Sequence, residues 1–123
     1  MKIRIEQAAK AYNEGKIEEA ERLFRTILKD QPKQSEVNYN LGLILKASEK
    51  YSEASSLFKV ATEENPNEEK YWISYGDLLF SKKEFKEAEV SYRKAIELNS
   101  NRADVYYNLS IILSKFEKFE EAE

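Results

Sequence analysis

The chain has 123 residues, 41% of them hydrophobic and 35% charged, with a formal net charge of −3. It has no cysteine and no histidine, which removes disulfides, thiolate zinc sites and the commonest general base, metal ligand and pH switch together. No long block of like charges offers a footprint for nucleic acid, and no apolar run of about 18 residues is present to span a bilayer.

The opening residues, Met1-Lys2-Ile3-Arg4-Ile5-Glu6, lack the apolar stretch of a secretory signal. A cytoplasmic protein that needs no cofactor and binds neither nucleic acid nor membrane is therefore expected. A first helix comes next, with Gln7-Ala8 and Ala11 on its packing face, and Gly15 falls in the turn after it, where a left-handed backbone costs glycine little. Ile17, Ala20, Phe24 and Ile27 mark a second helix, which Asp30-Gln31-Pro32 ends.

The next stretch repeats this plan. A helix over about Ser35 to Ser48 carries Tyr39, Leu41, Gly42 and Leu45. Glu49-Lys50 turns the chain into a helix over about Tyr51 to Glu64, with Ala54, Leu57, Phe58 and Ala61 inward. Asn65-Pro66-Asn67 breaks it, the asparagines being suited to cap the next helix. A third pair carries Trp72, Tyr75-Gly76 and Leu79, then Phe85, Ala88, Tyr92 and Ala95, and closes on Asn99-Ser100-Asn101. A fourth first helix holds Tyr106, Leu109, Ile112, Leu113 and Phe116, and Phe119 and Ala122 begin a second one that is not completed.

These marks keep one beat. Ala20, Ala54, Ala88 and Ala122 recur every 34 residues, each with a hydrophobic residue three places earlier and the first three with an aromatic four places later. A period in this range means stacked repeats rather than a single globular core. The units are 1–34, 35–68, 69–102 and a partial 103–123, together one solenoid and expected to be a fragment of a longer chain. Glycine inside a helix costs about 1 kcal/mol relative to alanine, so Gly42 and Gly76 imply close helix-to-helix approach. Ala8 and Ser110 hold the matching places, and the recurring alanines are expected to arrive from the facing helix. The open end leaves the apolar residues from Tyr106 to Phe116 partly uncovered, which invites homodimerisation.

The combination of Trp72, Tyr75-Gly76, Leu79, Phe85, Ala88, Tyr92 and Ala95, with Leu41-Gly42, Tyr51, Ala54, Phe58, Ala61 and Pro66 in the same frame, resembles the tetratricopeptide repeat. That resemblance implies an all-α, right-handed superhelical solenoid of antiparallel helix pairs, non-catalytic, which binds a protein or peptide in a concave groove lined by the first helices. Carried over by register, the groove residues are Tyr39, Asn40, Leu43, Lys70, Ile73, Asp77, Tyr107 and Asn108. The largely apolar and aromatic lining suits an extended peptide or an amphipathic helix.

Two recognition modes of similar domains fit less well. A clamp for an acidic carboxyl terminus needs several fixed positive donors, and of the places concerned (Ile5, Ala9, Asn40, Lys70 and Ser74) only Asn40 and Lys70 suit. An asparagine ladder of the kind found in serine- and threonine-modifying glycosyltransferases keeps Asn40 and Asn108 but is interrupted by Glu6 and Ser74. A targeting arm of a larger glycosyltransferase or sulfotransferase, and a self-association module, stand as the alternatives. Pairs such as Glu18-Glu19 and Glu63-Glu64 point about 100° apart on a helix and do not converge on a substrate.

Overall fold

A computed structural model describes residues 2–99 and 101–122, with side chains for 4–99 and 101–117. Its helices are α1 Lys2–Asn13, α2 Ile17–Asp30, α3 Ser35–Ala47, α4 Tyr51–Glu64, α5 Glu69–Ser81, α6 Phe85–Leu98 and α7 Ala103–Ala122. There is no strand among the described residues. The chain divides into two compact units, Met1–Pro66 and Asn67–Glu123, and the division falls at the second proline break. Each unit is all-α among the described residues and built of packed helix pairs, as the 34-residue beat implies.

In unit 1, α1 packs on α2, α2 on α3 and α3 on α4. Ala20, Phe24, Ala54 and Phe58 are completely buried. What fills the notch at Gly42 is not the alanine of the facing helix but the aromatic four residues after it. A Cβ at Gly42 would lie 2.6 Å from Phe58 Cε1, and one at Gly76 would lie 2.8 Å from Tyr92 Cε1. The alanines lie one turn earlier on the same buried face, and a ring has the reach to occupy a missing side chain. Ala122 lies outside the described side chains, and Ser110 is exposed.

The hairpin turns share one geometry. Lys16 N–H donates to Ala11 C=O at 2.8 Å, Lys50 to Leu45 at 2.9 Å and Glu84 to Leu79 at 2.9 Å. Each closes a helix end by a bond reaching back five residues, with the preceding residue left-handed. Gly15 meets that demand freely at φ 81°, whereas Glu49 and Lys83 adopt it at φ 63° and 64° despite their side chains. The strain is borne because the helix after each turn packs back on its partner.

The fourth turn does not form. Glu117, in register with Glu49 and Lys83, lies within α7, which runs unbroken to Ala122. Phe119, expected on a second helix, thus continues the first, and its side chain lies outside the described residues.

Capping also differs from expectation. Gln34 caps α3 by accepting from Val37 N–H at 3.0 Å. Buried Asn38 donates to Pro32 C=O and Gln34 C=O at 3.0 and 2.8 Å, which ties the proline break to the helix after it. Asn65 closes α4, and Glu68 opens α5 without a side-chain cap.

In unit 2 the core gathers Ile73, Leu79, Ala88, Tyr92, Ala95, Val105 and Ile112, with Trp72, Tyr75, Phe80, Phe85, Ile96 and Phe116 packed around them. Of the α7 residues expected to be uncovered, Leu109 and Ile112 are buried at 7% and 0% exposure, while Tyr106 and Leu113 remain open at 43% and 37%. They lie two turns apart on one side of α7.

Candidate functional site

Helix α3 is buried all round except along one stripe. Val37, Asn38, Leu41, Gly42, Ile44 and Leu45 are buried, whereas Glu36, Tyr39, Asn40, Leu43, Lys46 and Ala47 are half-buried or exposed. Their spacing of three and four residues is that of a single helical face. Hydrophobic contacts on both flanks fix α3, so the stripe is held rigid. The Tyr39 ring is set by Phe58, with centroids 5.8 Å apart and planes tilted by 43°. An aromatic and a leucine flanked by an amide, an ammonium and a carboxylate form a surface that gains from being covered.

Unit 2 carries the second set. Lys70 is exposed, its ammonium 5.9 Å from the centre of the Tyr71 ring. Tyr107 is 66% exposed. Ile73, expected on the same row, is 7% exposed and belongs to the core of this unit, so it offers a ligand little surface.

Asp77 and Asn108 meet around Tyr92. The Tyr92 hydroxyl donates to Asp77 Oδ1 at 2.5 Å, and the Asn108 amide donates to the Tyr92 oxygen at 3.2 Å and to Asp77 Oδ1 at 3.5 Å. Tyr92 is completely buried. Burial, then the hydrogen bond to the Asp77 carboxylate, pushes its phenol well above the usual tyrosine range. Register alone does not reveal this network, although the sequence holds a signal of it. Asp77 stands where unit 1 has Leu43, and Tyr92 where it has Phe58. Two apolar places that turn polar in the same repeat point to a bond between them.

Nearby charge is already paired. Arg102 holds Asp104 by two hydrogen bonds of 3.1 and 3.0 Å and lies 3.7 Å from Glu69. The guanidinium keeps the Asp104 carboxyl below its ordinary value, chiefly through that hydrogen bond. Among the described residues no three acidic, histidine or cysteine side chains are grouped to hold a metal, and no helix is long and apolar enough to cross a membrane.

A family model described as "Tetratricopeptide repeat" matches residues 11–77, and a second, "TPR repeat", matches 76–115. Comparison with curated proteins finds no match. Among solved structures, the first TPR of Spaghetti (RPAP3) bound to HSP90 peptide SRMEEVD is 21% identical, covers 94% of this chain and 91% of that one, and has a TM-score of 0.83. The Yersinia enterocolitica type III secretion chaperone SycD, in complex with a peptide of the translocator YopD, is 23% identical over 93% and 92%, with a TM-score of 0.80. MamA from AMB-1 is 24% identical over 98% of this chain and 66% of that one, with a TM-score of 0.86. At these identities the likeness bears on the fold alone.

Proposed function

This chain belongs to the tetratricopeptide repeat family, and on that premise we propose that it is a non-catalytic scaffold that takes a protein or peptide on the open faces of its first helices. The observation that carries the reading is the stripe on α3. Its flanks are consumed by packing, while Tyr39, Asn40 and Leu43 keep part of their surface for a ligand. An extended peptide or an amphipathic helix would place apolar side chains against Tyr39 and Leu43, with the Asn40 amide meeting the partner's backbone. In unit 2, Tyr107, Asn108, Asp77 and Lys70 supply the corresponding contacts. Two of the similar structures hold peptides, which supports the reading by analogy.

The test is a quantitative pull-down with wild type against the triple variant Tyr39→Ala, Asp77→Asn, Tyr107→Ala, with unfolding midpoints measured in parallel. A set of partners lost by the folded variant supports the proposal. An unchanged set refutes it. Self-association is the second reading, favoured by Tyr106 and Leu113, which stand open on α7. Sedimentation over a range of concentrations decides it, and a constant monomer mass excludes it.

A further inference from the structure

Asp77 is half-buried, yet among the described residues no lysine or arginine lies within ion-pair distance of it, and Arg102 acts on it only at longer range. The cation that feels the Asp77 charge is Arg102, and its guanidinium is itself held by Asp104 and lies 3.7 Å from Glu69. The hydrogen bonds that Asp77 accepts come from Tyr92 and Asn108, and all fall on Oδ1. Oδ2 accepts no hydrogen bond from the described residues, and the carboxylate charge is shared by both oxygens. Neutral donors orient a carboxylate but do not cancel its charge, and partial burial strips some of the water that would.

A purely structural role would not require this arrangement. Unit 1 carries Leu43 and Phe58 at the corresponding places, so the repeat forms without a carboxylate there.

We infer that Asp77, held by Tyr92 and Asn108, is a specificity-determining residue that selects an arginine or lysine side chain of the bound peptide. This deepens the proposed groove function and rests on it. It also makes the preferred partner basic, opposite in sign to an acidic tail, which the Asp77 charge would repel.

The experiment selects phage-displayed random dodecapeptides on the full chain, then measures one synthetic binder by titration calorimetry. The expected outcome is enrichment of Arg or Lys at one fixed position. Replacing that residue by Gln, or making Asp77→Asn in the protein, should each weaken binding about tenfold, a charged hydrogen bond's worth. The two changes together should cost little more than either alone. Asp77→Asn keeps an oxygen for the Tyr92 hydroxyl. Should it nonetheless unfold unit 2, the Gln peptide against wild type decides by itself. Selected peptides without a basic residue, or equal affinity for the Gln peptide, overturn the inference while leaving the groove reading intact. Failure to select any peptide overturns both.

Discussion

Replacing Tyr92 and Asp77 by the pair that unit 1 carries should reveal how much of unit 2's stability runs through their bond. Tyr92→Phe deletes a hydroxyl that donates to a carboxylate at 2.5 Å and accepts from Asn108 at 3.2 Å. A hydrogen bond to a charged group contributes about 1.5–3 kcal/mol. Because Asp77 is only half-buried, water recovers part of this, and the expected loss is about 1–2 kcal/mol. Asp77→Leu alone strands the phenol of a fully buried tyrosine without its acceptor, at about 1–3 kcal/mol. The double variant removes both polar groups and reproduces Leu43 and Phe58, so it should return to within about 1 kcal/mol of wild type. Urea unfolding monitored through Trp72 suits the assay, since this tryptophan is the only one in the chain and packs on the core of unit 2. Changes in midpoint at constant slope give the energies. Strict additivity of the two single losses would refute the coupling.

High pH acts on the same bond. The Tyr92 phenol is raised above its unfolded value, so the native state retains a proton that the unfolded chain releases. Its contribution is intact below about pH 10 and is lost above it, by up to about 1.4 kcal/mol per pH unit. Urea midpoints between pH 9 and 11 should fall less steeply in Tyr92→Phe, and an identical slope would count against the assignment. Gly42→Ala brings a Cβ within 2.6 Å of a buried ring. Overpacking at about 1–3 kcal/mol outweighs the helix-propensity gain of about 1 kcal/mol, leaving a net loss of about 1 kcal/mol. A raised melting temperature for that variant would be contrary. Glu49→Gly and Lys83→Gly relieve left-handed residues and should each stabilise by up to about 1 kcal/mol. Thermal unfolding checks this, and a lower melting point for either would show that the turns carry no such strain.

Much of the architecture was legible because the same physical demand recurs at each repeat. The helix expected over Tyr51 to Glu64 has those bounds, and the one expected from Ser35 ends at Ala47, because Glu49-Lys50 and Asn65-Pro66 are local signals. The partner of Gly42 was not legible. Periodicity places Ala54 and Phe58 on one face, but only geometry decides which of them reaches the notch. The separate helix expected to begin at Phe119 was not found, since α7 runs on to Ala122. The site was legible by register rather than by chemistry. Tyr39, Asn40 and Leu43 lie on an open face, whereas Ile73 is drawn into a core and Asp77 is bonded to a buried phenol. Only the comparison of Leu43 and Phe58 with Asp77 and Tyr92 hinted at that bond.

The open face of α3 is tested most directly by amide NMR of the labelled chain titrated with a peptide selected from a random library. Progressive shifts at Tyr39, Asn40 and Leu43 are the expected result. Shifts confined to α2, α4 and α6, with the α3 stripe unmoved at saturation, would contradict the assignment of binding to the first helices.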